Sequence, residues 1–295
     1  MNLHEYGAFG RKIYFIHPSF LVRRNLIPQL CNMEYEIYII PDYKKAKDIL
    51  RKNPDSICYI NMDVDLRPEG WINFVQSFEK DDVLSTIYIG VTSERTSKTT
   101  REDFATQCTL PAGFIQTTSA TPDAKKIVAH ILEMVNAKGQ RKYVRASCTT
   151  DKNATVTCDA GGKYLTFRLQ NISSVGLACL VPDSDAENFQ EKSILRNTTL
   201  TLGKTQLLCS AVIYAIKRDV QYATMILLFM KGTTNDLKNI IRQYIFDLHQ
   251  NILDTQLAEL AEDPVNYNHP NALQQATETE HPPQEQSDTV HSSAL

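Results

Sequence analysis

Between residues 12 and 137 the chain alternates short runs rich in β-branched and aromatic residues with longer runs whose apolar positions recur at helical spacing. The short runs predict strands over 12–16, 36–40, 56–61, 85–91 and 113–116, and helical patterns separate them over 20–31, 43–51, 70–78, 101–108 and 123–135. The last helix is announced by Thr121-Pro122-Asp123 and puts Ile127, Ile131, Leu132 and Val135 on one stripe. Strand and helix in strict alternation predict an α/β fold with a parallel sheet.

After Ala137-Lys138-Gly139-Gln140 the helical period gives way to β-rich runs over 146–158, 163–171, 176–181, 194–202, 206–216 and 220–230. Turns fall at Asp159-Ala160-Gly161-Gly162, Pro182-Asp183-Ser184-Asp185, Gly203-Lys204 and Lys217-Arg218-Asp219. Six antiparallel strands of this size predict a small closed barrel, which leaves no open sheet edge. Helical spacing returns over 235–260, where Leu237, Ile241, Ile245, Leu248 and Ile252 share a broad face that should pack on the barrel. Beyond Glu262 the chain is rich in Pro, Gln, Ser, Thr and acids with one aromatic, Tyr267, and is expected to be disordered. The domain plan is therefore 1–137, 138–260 and an acidic tail over 261–295.

The 295 residues accommodate two such domains, and the longest apolar runs fall far short of the roughly 20 residues that cross a bilayer. With no hydrophobic leader at the start, a cytoplasmic protein is expected, without membrane insertion. Seven cysteines, an odd number with no C-x-x-C pair, read as small reduced hydrophobes rather than disulfide or zinc ligands. The formal net charge of −3 hides an asymmetry: nine acids and no Lys or Arg follow Arg242, which leaves the first 242 residues at +6. The body can thus attract an anionic ligand, whereas the missing basic stripe and the acidic tail argue against DNA or RNA. No nucleophile and base are paired in a recognisable motif, and there is neither a P-loop nor a G-x-G-x-x-G opening a helix, so an enzyme is not expected, nor a bound metal or cofactor.

The five β/α repeats resemble the receiver domain of bacterial two-component signalling, a flavodoxin-like doubly wound sheet. Its chemistry is missing. Where the resemblance calls for an acidic pair after the first strand stands His17-Pro18; the third strand runs through Ile60-Asn61, and the fifth ends in Thr117-Thr118. Asp63 and Asp65 lie close by, but with no acid pair to hold a metal the domain reads as phosphorylation-dead and suited to interaction.

Two motifs frame the start of the barrel: Arg141-Lys142-Tyr143-Val144-Arg145, an R-x-x-x-R in the linker, and Asn171-Ile172-Ser173-Ser174-Val175-Gly176, an N-x-S-x-x-G between strands. Each alone is a solvated basic surface or a strand turn. In this order, on six strands closed by an amphipathic helix, they resemble the PilZ domain, the bacterial receptor for cyclic di-GMP, over about residues 138–260. The resemblance implies that Arg141 and Arg145 hold phosphates and guanine as the linker becomes ordered. Asn171 and Ser173 would meet a guanine edge, and Gly176 would let the backbone approach. Lys142 adds attraction at most, and Gln140 stands where many relatives carry a further Arg, which leaves one or two ligand molecules per site open. The implied function is a cyclic di-GMP receptor and effector that signals to protein partners through linker and interdomain rearrangement, in control of motility, surface behaviour or virulence. The alternative is a ligand-independent signalling scaffold.

Overall fold

A computed structural model of the chain describes residues 10–118, 123–230 and 234–275. The Thr121-Pro122 helix start and residues 276–295 of the tail lie outside them.

The N-terminal part is a five-stranded parallel sheet of β1 (Ile13–Ile16), β2 (Ile37–Ile40), β3 (Ile57–Asn61), β4 (Tyr88–Ser93) and β5 (Phe114–Gln116), in the order β2-β1-β3-β4-β5. This is the flavodoxin-like winding. The central strands β1 and β3 are buried on both faces, as apolar runs such as Ile13-Tyr14-Phe15-Ile16 require. The helices between them are α1 (Ile27–Asn32), α2 (Ala46–Arg51), α3 (Pro68–Glu79), α4 (Lys98–Gln107) and α5 (Ala124–Met134). The helix predicted over 20–31 is continuous from Phe20 to Asn32, with one irregularity ahead of α1. A wide π-type turn over Val22–Leu26 precedes it, at the place where Pro28 lacks the N–H that would close an ordinary helical turn. Strand β4 starts later than predicted because Asp81 Oδ1 accepts from the N–H groups of Val83 and Leu84 and folds that stretch into a helical turn.

The second part is the barrel: β7 (Thr155–Asp159), β8 (Tyr164–Ser173), β9 (Gly176–Pro182), β10 (Ile194–Leu202), β11 (Thr205–Arg218) and β12 (Tyr222–Phe229). Neighbours run β8-β7-β10-β11-β12-β9, and pairing of β9 back onto β8 closes the ring. A short helix α6 (Asp183–Ala186) follows β9. The first predicted strand, 146–158, is split. Its beginning is β6 (Arg145–Ser147) on residues 171–173 of β8, and its end is β7 on residues 164–168 of the same edge. Residues 149–153 loop out between them, while Cys148 N–H to Gln170 O and Leu169 N–H to Ala154 O carry the ladder across the gap.

Helix α7 (Asn235–Ala258) starts at Thr234, whose side chain accepts from Leu237 N–H. Its 24 residues, about 36 Å at 1.5 Å each, serve two cores. Ile241, Ile245 and Leu248 pack in the barrel as expected, but Leu253 and Leu257 pack against the N-terminal sheet domain. Beside them the Gln250 amide donates to Ile39 O and accepts from Ile39 N–H, covering the free edge of β2.

The segment after α7 corrects the expectation of a tail disordered from residue 261. Val265, Tyr267 and Ala272 are buried in the N-terminal core, with Tyr267 in edge-on contact with Tyr43 and Phe74. The Tyr267 hydroxyl donates to Asp263, Asn73 donates to Tyr267 O, and Lys44 pairs with Glu262. Three apolar side chains and these polar ties offset the ordering entropy of a strap that the composition alone would leave loose. Leu253, Leu257, Val265, Tyr267 and Ala272 thus all pack in the core of the N-terminal sheet.

Candidate functional site

The backbone ladder brings the two motifs together. Arg145 is opposite Ser173 in the β6–β8 pair, and Ser173 is opposite Gly176 in the β8–β9 pair, so the three residues form one row across three strands. Adjacent strands lie about 4.8 Å apart, which puts the row within the span of one nucleotide. Two rows on, and next on the same face, come Ser147, Asn171 and Ala178. Residues two apart on a strand share a face, so Arg145, Ser173 and Asn171 point to the same side, away from the buried Ala146 and Ile172. Gly176 faces β12 so closely that a side chain there would run into the Leu227 carbonyl oxygen.

Arg145, Gln140, Arg141 and Lys142 are exposed, Asn171 is half-buried, and Ser173 is buried with its hydroxyl donating to Gly176 O. Arg141 and Arg145 line one crevice with Lys138, Glu34 and Glu36. The Lys138 ammonium sits 4.8 Å from the Tyr35 ring centre and that of Lys142 5.6 Å from Tyr143, both at cation–π range. Arg141 and Arg145 thus put two guanidinium groups, with their planar forks, on one crevice, and the strand pairing sets Arg145 beside Ser173 and Gly176. Such a group can fork onto phosphate oxygens or the O6/N7 edge of guanine, or stack on a base.

The site lies on the seam between the two domains, which the motif spacing does not reveal. Glu34, at the turn from α1 into β2, accepts from Ser174 Oγ at 2.6 Å, Arg242 Nε at 2.8 Å and Val144 N–H at 3.2 Å. One carboxylate of the first domain therefore touches the linker, the N-x-S-x-x-G segment and α7. His249 of α7 stacks on Tyr38 and hydrogen-bonds the Arg145 backbone. Burial holds its imidazole below the usual 6.5, against the pull of Glu36 and of that hydrogen bond. Ser174 was visible within the second motif and Arg242 as the last cation of the chain, but only the fold shows what they meet.

At the carboxyl ends of the parallel strands, His17 Nδ1 lies 2.9 Å from Asp65. Asp63 accepts from Ser93 Oγ and from Glu94 N–H, both at 2.6 Å, and Asn61 donates to His17 O. Burial raises the cysteine thiols, to about 11 at Cys209 and about 12 at Cys148 and Cys158, which keeps them protonated hydrophobes. No described helix is long and apolar enough to cross a membrane.

No protein-family model and no curated protein matches the chain. Among solved structures, 41% of it is similar to 99% of the "PilZ domain with c-di-GMP of YcgR from Escherichia coli", at 16% identity and TM-score 0.36. It is similar over 40% of its length to the "K. pneumonia MrkH-c-di-GMP complex" (17% identity, TM-score 0.35) and over 41% to the "Bacillus subtilis Inhibitor of motility (MotI/DgrA)" (24% identity, TM-score 0.31). The chain spans about half the length of these last two, 55% and 53%.

Proposed function

We propose that this protein is a receptor for cyclic di-GMP, bound on the outer barrel face between the linker and the N-x-S-x-x-G segment. The observation that carries the reading is the row Arg145–Ser173–Gly176, with Asn171 two rows away on the same face. Two anionic phosphates and two guanine faces call for paired guanidinium groups, short polar side chains and a close backbone; the row supplies one guanidinium and the rest, and Arg141 of the linker supplies the second guanidinium. Base stacking on arginine or aromatic planes contributes about 1–3 kcal/mol per base in single-stranded complexes, so two guanines are a large part of the affinity. Arg141 and Arg145 take phosphate and guanine. Asn171 and Ser173 take a guanine edge, and Gly176 keeps the approach open.

No described residue is assigned a catalytic role. The protein acts in the cytoplasm and passes the second-messenger level to protein partners. Linker movement at 138–145 changes the contacts on the domain seam, and the readout lies in motility, surface behaviour or virulence. The receiver-like domain serves as an interaction module without phosphoryl chemistry. Titration of the full chain with cyclic di-GMP, beside Arg141→Ala and Arg145→Ala, tests the assignment.

A further inference from the structure

We infer that Glu34 is an autoinhibitory latch that holds the linker and the motif segment in a ligand-free arrangement. The inference rests on the cyclic di-GMP reading of the site and adds a residue of the other domain to its control. Glu34 is the meeting point of three segments that have no other reason to share a partner: Val144 lies inside the R-x-x-x-R, Ser174 inside the N-x-S-x-x-G, and Arg242 on the helix that joins both cores. Its side chain is 9% exposed and that of Arg242 18%. In so dry a place the carboxylate's hydrogen bonds gain strength and their loss is felt. The backbone at Glu34 is left-handed, with φ of 64°, as it ends α1: Tyr35 N–H closes back on Leu30 O and turns the chain so that the carboxylate faces the barrel side.

Two physical arguments give the direction of the effect. First, Val144 sits between the irregular Arg141 end of the linker and the anchored Arg145, so the Glu34 contact to its N–H restrains the part of the segment that must move to bring Arg141 onto a ligand. The latch must open as the ligand docks, and the apparent affinity is reduced by the fraction of molecules in which it is closed. Second, Glu34 lines the same crevice as Arg141 and Arg145, where a ligand with two negative phosphates meets a like charge. Both oppose binding. Removing the carboxylate should therefore tighten it.

The test is calorimetric titration of the full chain with cyclic di-GMP for wild type, Glu34→Ala and Ser174→Ala. Ser174→Ala cuts the barrel-side bond without changing charge and serves alone if thermal melting shows that Glu34→Ala does not fold. Glu34→Ala should bind about fivefold or more tightly than wild type, the lower end of ordinary coupling between sites, and Ser174→Ala, which leaves the carboxylate and its Val144 contact in place, should tighten binding by less. The double variant should gain less than the sum, because both act through one contact. If wild type binds and the variants bind equally or more weakly, Glu34 is no latch. If none of the proteins binds, the ligand assignment itself is wrong and the latch falls with it.

Discussion

Arg145 stands directly across the β6–β8 pair from Ser173, so the end of the linker motif and the middle of the barrel motif are held in fixed relation by backbone hydrogen bonds. The arginine's base is thus anchored while the residues before it, from Lys138 to Tyr143, form no strand or helix. An anchored end and an irregular beginning suit a segment that closes over a ligand.

Gly176 is the tightest point of this row. A methyl group there meets the Leu227 carbonyl oxygen on the neighbouring strand, which cannot retreat without breaking the β9–β12 ladder. Gly176→Ala should lower stability by about 1–3 kcal/mol, the usual cost of overpacking. Urea unfolding measures it, as a lower midpoint at unchanged slope.

The strap after α7 gives a second prediction. Tyr267 is fully buried among Tyr43 and Phe74, and its hydroxyl donates to Asp263 at 2.7 Å. Tyr267→Ala should cost about 3–5 kcal/mol, as for other large aromatic truncations. Tyr267→Phe removes only the hydrogen bond and should cost about 1 kcal/mol. Both are read by denaturant unfolding of the full chain, and a surface-like effect of Tyr267→Ala would show that the strap is not docked.

His249 makes stability depend on pH. Its folded pKa lies below the ordinary 6.5, so between the two values the unfolded chain binds more protons. The stability from the buried neutral imidazole is complete above about 6.5 and is lost as pH falls through the lower folded value. His249→Gln forfeits the stacking on Tyr38 and the bond to Arg145 at neutral pH but has no proton to gain. The stability gap between wild type and variant should shrink from pH 7.5 to pH 5, measured by urea unfolding at each pH.

The N-terminal parallel sheet should not accept phosphate. Both oxygens of Asp63 are engaged, by Ser93 and Glu94, and Asp65 faces His17. His17-Pro18 offers no carboxylates to hold the metal that offsets charge in phosphoryl transfer. Incubation with acetyl phosphate and magnesium should leave the intact mass unchanged.

Much of this was legible in the pattern of the chain. The β/α alternation predicts the parallel sheet because each element carries its own period, and the two motifs meet because β6 and β7, the two halves of one β-rich run, both lie along the same edge of β8. What was hidden has long-range causes. Tyr267 and Val265 are sparse apolar residues in a polar stretch, and only the groove beside Tyr43 and Phe74 gives them a core. The loop at 149–153 interrupts a run that reads as one strand, since its ends keep the same partner edge. Glu34 looks like any surface acid, and its three donors lie 110, 140 and 208 residues away.

The most direct test of the central claim is calorimetric titration of the full-length protein with cyclic di-GMP, run beside Arg141→Ala and Arg145→Ala. The account predicts saturable binding of one or two ligand molecules per chain. Either substitution should weaken it by about tenfold or more, the value of one lost charge-assisted contact, with the circular dichroism spectrum unchanged. No heat of binding in the wild type, or isotherms unchanged in both variants, would contradict it.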